Sequence, residues 1–393
     1  MNLSTQQFTS ALSQTGEGGF RRAAAILAAG LLCAIPARAE FLAAADFSHL
    51  AYMESQGVVY ADNGRVQDAL VIVRNHGLGC VRLRLFTSSP QQAKADPYNC
   101  INNLDYTVPL AVRVKQAGLK FLLDFHYSDT WADPSHQSKP AAWSTLTFPE
   151  LVQQVRSYSS NCIFTFNAAG AMPDYVQVGN EITGGMLWPD GQVPGTNAAV
   201  QWPKFAGLLN SAIQGIRDAA GSHMPKIMIH IDRGGDWEAT RWFFDNLKNE
   251  HVSYDLIGES YYPFWHGPLT NLVTCLSNAA VRYAKPVVVA ETDFPWIYST
   301  NLVGIAAGTN GQVQFVGTLA GILKSVPNHL GAGIIWWGSE YQLPNANQAG
   351  FGTRSFFDSS GNVLPVVDSL GQLVTPLVLS ATIPGAKVEA PVQ

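Results

Sequence analysis

From Phe41 onward, short apolar runs alternate with longer stretches whose apolar positions recur at helical spacing. Eight runs are predicted as strands: Leu42–Asp46, Cys80–Leu85, Lys120–His126, Asp174–Asn180, Lys226–Asp232, Leu256–Tyr262, Pro286–Glu291 and Gly333–Trp337. Helical patterns at Tyr106–Ala117, Phe148–Ala168, Trp202–Ala220 and Trp237–Lys248 lie between them, several closed by Gly or Pro before the next strand. Such alternation is the pattern of a parallel sheet with crossover helices, and eight units predict a closed (β/α)8 TIM barrel as a single domain. An open doubly wound sheet would alternate too, but no glycine-rich dinucleotide fingerprint follows the first strand.

Two of the runs end in a way that a core strand does not require. Val176-Gln-Val-Gly-Asn-Glu-Ile182 and Val287-Val-Val-Ala-Glu-Thr-Asp293 each carry apolar chain straight into a glutamate. Burying a carboxylate costs several kcal/mol unless it is paired or used. Either run alone is as well explained by a helix cap or an arginine partner. Together, at strand ends that a barrel brings to one mouth, Glu181 and Glu291 point to glycosidic hydrolysis, which needs one protonated and one ionised carboxyl.

The other strand ends supply Asp46, Arg84, Asp124, His126, Asn180, His230, Asp232, Tyr262 and Trp337, a set of hydrogen-bonding and stacking groups suited to sugar. Side chains alternate along a strand, so Arg82/Arg84, Asp124/His126 and His230/Asp232 each share a side, which on an apolar strand is the mouth. For Arg82 and Asp124 a structural hydrogen bond weighs at least as much as a functional role; for His126 and His230, nearer the ends, function is favoured. Asn180 can donate to a sugar hydroxyl, and Trp131, Trp188, Trp265 and Trp337 fall in or beside the rim loops, where a tryptophan either stacks on a pyranose or packs the rim.

Composition narrows the partners. With 393 residues, a net charge of -5 and only 13% charged residues, the chain has no basic field for nucleic acid or an anionic membrane, and a neutral polymer suits it. No metal or other cofactor is expected: His126, His230 and Asp232 stand in no His-Glu-x-x-His or other close ligand spacing, and no Gly-x-Ser-x-Gly elbow suggests a serine hydrolase. Arg21-Arg22, the apolar stretch from Ala23 to Ala34 and Ala37-Arg38-Ala39 form an export signal too short to span a membrane, by the general secretory route ahead of the twin-arginine one. The expected organisation is therefore a signal peptide at 1–39, a catalytic barrel at 40–372, a tail at 373–393 and a secreted or periplasmic monomer without a membrane anchor. Cys80, Cys100, Cys162 and Cys275 fit no metal spacing and are expected as buried thiols. Asn301–Gln312 is expected as a rim loop.

Longer motifs carry a resemblance over nearly the whole mature chain. They are Ala45-Asp-Phe-Ser48, Val81-Arg-Leu-Arg84, Leu123-Asp-Phe-His-Tyr-Ser-Asp-Thr-Trp-Ala-Asp-Pro134, Gln177-Val-Gly-Asn-Glu-Ile182 with Leu187-Trp-Pro189, Ile229-His-Ile-Asp232, Ser260-Tyr-Tyr-Pro-Phe264, Glu291-Thr-Asp293, and Phe356-Phe-Asp358 with Gly361-Asn362. In these the chain resembles the endo-β-1,4-galactanases of glycoside hydrolase family 53, retaining (β/α)8 enzymes with glutamates at strands four and seven. The resemblance implies Glu181 as acid/base, Glu291 as nucleophile, and Asp46, Arg84, Asp124, His126, Trp131, Asn180, Trp188, His230, Asp232, Tyr262, Asp293 and Trp337 as substrate-binding residues. With those roles, Arg84 and Tyr262 are expected to hold Glu291 charged and oriented and His126 to sit near Glu181, and galactan and galacto-oligosaccharides are the expected partners. A β-mannanase or β-glucanase of the same clan, and a non-catalytic carbohydrate-binding barrel, are the alternatives.

Overall fold

In the computed structural model, residues 41–193, 198–297, 301–342 and 348–374 are described. Eight parallel strands close on themselves, numbered in chain order: β1 Leu42–Asp46, β2 Cys80–Leu85, β3 Lys120–Phe125, β4 Tyr175–Val178, β5 Lys226–Ile231, β6 Leu256–Ser260, β7 Val287–Thr292 and β8 Gly331–Trp336. Each pairs with the next in sequence, and β8 returns to β1 with Leu42 opposite Gly333. The predicted (β/α)8 barrel is the observed fold.

Alternation divides each strand between two environments. Outward residues such as Val81, Leu83, Phe121 and Leu123 join the main core under the helices, while Leu42, Ala44, Cys80, Leu122, Tyr175, Met228, Val288, Ala290 and Ile335 fill the barrel interior. The helix Phe148–Ala168 shows why the outer ring forms where it does. It opens on a Thr147/Glu150 capping box with Pro149 in its first turn, and buries Leu151, Val155, Ser159, Cys162, Ile163 and Phe166 at three- and four-residue spacing.

The boundaries shift at the mouth. β3 to β6 end before His126, Asn180, Asp232 and Tyr262: the Asn180 carbonyl accepts from Gln137 Nε2, the Asp232 N–H donates to Thr183 Oγ1 and the Tyr262 N–H to His266 Nδ1, while the His126 N–H still donates to the Leu85 carbonyl of β2. The Asn301–Gln312 connection is shorter than expected, since the helix Thr309–Ser325 begins inside it. At the C-terminus, Leu373 and Val374 pack against the core. The expected export signal, and the rest of the expected tail from 375, lie outside the described residues. Among the described residues no helix is long and apolar enough to cross a membrane. Cys80, Cys162 and Cys275 are buried thiols and Cys100 is half-buried, with no disulfide among the four.

Candidate active site

The two glutamates reach the mouth by different local devices. After β4, Gly179 takes φ +85°, where a Cβ would stand 2.6 Å from the Ile182 Cγ2 methyl, and Glu181 itself is left-handed at φ 49°, ψ 48°. A left-handed non-glycine residue costs of order 1–3 kcal/mol and persists only where its surroundings enforce it. On β7 the device is a slip in register. Ala290 faces the interior, where a Cβ on Gly258 would lie 2.9 Å from it, and pairing then shifts between Glu259 and Ser260 against β6 and between Val289 and Thr292 against β8. The slip turns the very next residue, Glu291, into the mouth, as bulges beside active sites do.

Arg82 ties the floor together. Its guanidinium donates to Glu291 Oε1 (2.5 Å), Asp124 Oδ2 (2.6 Å) and Asn180 Oδ1 (2.8 Å). Burial works against its charge, but Asp124, Glu291 and Asp46 outweigh it and hold the proton more firmly than usual. Asp124 is likewise opposed by burial, yet Arg82 draws it down to about 2. Tyr262 donates its phenol to Glu291 Oε2 at 3.0 Å, and burial keeps that phenol protonated. Glu181 is the opposite case. Burial, then the negative charge of Glu291, push its carboxyl well above the ordinary range, against the hydrogen bond it shares with Ser260 (2.6 Å) and the charge of Arg82. One carboxyl is thus biased towards its neutral form while two donors, one cationic, converge on the other.

The glutamates open onto a cavity of about 770 Å³. Of the predicted binding residues, Asp46, Arg84, Asp124, His126, Trp131, Asn180, Asp232, Tyr262, Asp293 and Trp337 line it. His230 and Trp188 do not. His230 is fully buried beneath the floor, with Nδ1 3.0 Å from Asn180 Oδ1 and Nε2 2.8 Å from Ser260 Oγ. Trp188 donates its indole N–H to the Gly184 carbonyl at 2.8 Å.

Two expected partnerships also differ. Arg84 does not hold Glu291: one step nearer the rim than Arg82, it donates to Asn102 Oδ1 and lies 3.9 Å over the Trp131 ring. His126 does not stand against Glu181: its Nε2 faces Asp124 Oδ2 at 3.1 Å while Nδ1 accepts the Ala132 N–H, and Ser260 occupies the place beside Glu181. Sequence reasoning thus undervalued Arg82 and omitted Ser260, Tyr98, Phe351 and Arg354. The last three line the cavity, and Arg354 donates to Asp293 Oδ2 at 3.1 Å. The Arg82/Arg84 alternation was the available signal for the first; the loop residues carry none.

The profile of glycosyl hydrolase family 53 matches residues 42–370. A probable arabinogalactan endo-beta-1,4-galactanase A of Neosartorya fischeri is 38% identical over 75% of this chain and 82% of its own length. Among solved structures, the Ignisphaera aggregans GH53 catalytic domain superposes with a TM-score of 0.76 at 32% identity, covering 86% of this chain and 97% of that one. A structure from a study of two fungal beta-1,4-galactanases superposes at 0.74 with 33% identity, covering 83% and 98%. A strand-four and strand-seven glutamate pair on a closed barrel, and a match spanning nearly all of it, lead to one conclusion: the chain belongs to glycosyl hydrolase family 53.

Proposed function

We propose that this chain is an exported endo-β-1,4-galactanase that cleaves galactan and type I arabinogalactan with retention of configuration. The observation that carries the reading is the asymmetric pair: Glu181 is held protonated by burial and by Glu291, and Glu291 receives Arg82 and Tyr262. Relatives named arabinogalactan endo-β-1,4-galactanase support the substrate. In the first step a Glu291 oxygen bonds to the anomeric carbon as the glycosidic C–O bond breaks, and the Glu181 proton passes to the departing oxygen. In the second, ionised Glu181 takes a proton from water, whose oxygen displaces Glu291 and restores both carboxyls. Asn180 has one amide hydrogen on the Ala132 carbonyl and its second for a sugar hydroxyl, while Trp131, Trp265 and Trp337 offer stacking faces. The export signal read from residues 21–39 supports action outside the cytoplasm.

Galactose carries an axial hydroxyl at C4, so buried polar groups matched to it are left unpaired by glucose or mannose. Mismatches of that kind discriminate by about 10⁴ or more. Reducing-end release from galactan, β-1,4-mannan and cellulose, with products sized over time, is the test. Early mixed oligosaccharides from galactan alone are expected; comparable rates on mannan or cellulose overturn the substrate and leave the glutamate pair standing.

A further inference from the structure

The chain of bonds behind Glu181 fixes more than position. Asn180 Oδ1 faces Arg82 Nη2, which can only donate, and Asn180 Nδ2 faces the Ala132 carbonyl at 2.8 Å, so the amide orientation is set from both ends. His230 Nδ1, 3.0 Å from that oxygen, must then carry a hydrogen. Burial and the neighbouring Arg82 guanidinium keep the ring from taking a second proton, against the pull of Asp124. Nε2 is therefore a bare acceptor. Its partner, 2.8 Å away, is Ser260 Oγ, which also stands 2.6 Å from Glu181 Oε1. Ser260 has one hydrogen for two neighbours.

The count depends on Glu181. With its proton on, Glu181 donates to Ser260 Oγ and Ser260 donates to His230, so both bonds are made. With its proton gone, the hydroxyl either turns to the carboxylate and strands the buried Nε2, or stays on His230 and leaves the carboxylate without it. We propose that Ser260 and His230 form a one-proton switch that favours the acid form of Glu181 between turnovers and supplies a donor to it only once its proton has left. Both are positioning residues, since neither touches the reacting bond. The inference rests on Glu181 as the acid/base of the proposed function. During the first step the Glu181 proton leaves its bond to Ser260 for the departing oxygen and the hydroxyl rotates from His230 to Glu181; when water returns a proton to Glu181, that proton donates to Ser260 again and the hydroxyl turns back to His230. No external reactant is needed, because one hydrogen changes acceptor and nothing is oxidised or reduced.

The remaining charges around the switch are Glu291 on β7, Asp232 after β5 and Arg82 on β2, which face Glu181, and Arg82, Asp124 and His126, which face His230. They act whether or not Ser260 is present. A double substitution therefore separates the switch from them.

His230→Asn keeps an amide near the Nδ1 position for Asn180 and puts nothing at Nε2; His230→Gln keeps an acceptor near Nε2. The titration of the Glu181 carboxyl is followed by ¹³C NMR of glutamate-labelled protein, with the resonance assigned by its loss in Glu181→Gln. His230→Asn should move the midpoint down by about half a pH unit to one pH unit, the worth of one neutral hydrogen bond. His230→Gln should move it less, and in a Ser260→Ala background His230→Asn should move it no further. An unchanged midpoint, or the same displacement with and without Ser260, overturns the proposal. A check that needs no variant is the ¹⁵N spectrum of the wild-type ring: the Nδ1–H neutral tautomer is expected, and an Nε2–H or doubly protonated ring overturns the switch. None of these measurements uses galactan, so a chain that fails to cut galactan refutes the proposed substrate and leaves the switch to be judged on its own result.

Discussion

Arg82 is the residue on which the site's charge balance turns. It is the cation between Glu291, Asp124 and, at 3.9 Å, Asp46, all buried. Removing one member of a buried ion pair costs about 3–5 kcal/mol because the partner is left uncompensated. Arg82→Leu is therefore expected to lower the unfolding free energy by about that amount in denaturant titration and to abolish turnover, and a variant of wild-type stability would contradict the network. The glutamates should fail in different ways. With a substrate bearing a good leaving group, azide added to Glu181→Ala should yield the product of retained configuration, and azide added to Glu291→Ala the inverted one. Exchanged configurations would reverse the two roles. Alternation along β2 put both arginines on the mouth side in the sequence, but which one meets Glu291 depends on depth: Arg82 sits one layer lower and reaches upward, while Arg84 turns outward to Asn102 and Trp131.

Among the elements, β6 and β7 show where sequence pattern runs out. The apolar runs placed all eight strands within a few residues, because burial on both faces demands continuous apolar chain. The register slip that turns Glu291 inward directly after interior Ala290 has no such signature, since it arises from how two strands pair. Nor does the Ser260 to His230 contact, which links β6 to β5 through side chains thirty positions apart in sequence. Gly258 makes room for the slip. Its missing Cβ would lie 2.9 Å from Ala290 Cβ and 3.0 Å from Met228 Sδ; the thioether can yield, but the alanine methyl is fixed to β7. Gly258→Ala is expected to cost about 1–3 kcal/mol as an overpacked core substitution and to lower kcat by displacing Glu291. The Gly258→Ala/Ala290→Gly pair should recover most of both losses, and thermal melts with kinetics on the three variants decide whether the contact is the cause.

Across the whole molecule, buried carboxyls set how stability follows pH. Burial raises Asp293 to about 6 against Arg354, and raises Glu340 to about 8, with Asp46 adding to it and Arg84 opposing. Glu181 and Glu259 are raised as well, chiefly by burial. In the unfolded chain all four release their protons near pH 4. The folded chain therefore binds more protons above that point, so the stability these groups contribute is complete below about pH 4 and is lost as pH climbs through their folded values. For Asp293 alone the loss is about 3 kcal/mol, because each tenfold change in proton affinity is worth about 1.4 kcal/mol. Asp124 runs the other way: drawn down to about 2, chiefly by Arg82 against burial, it stabilises above about pH 4 and fails as pH falls towards 2. The melting temperature should therefore peak near pH 4 to 5 and decline through pH 8. Glu340→Gln, which cannot ionise, should make that decline shallower up to about pH 8 and leave the parts due to Asp293, Glu181 and Glu259. Calorimetry from pH 3 to 9 on both proteins tests this, and a melting temperature that rose from pH 5 to 8 would mean these carboxyls ionise freely in the folded barrel. That outcome would also weaken the basis for a protonated Glu181, whose carboxyl is half-buried at the mouth and is raised first of all by desolvation.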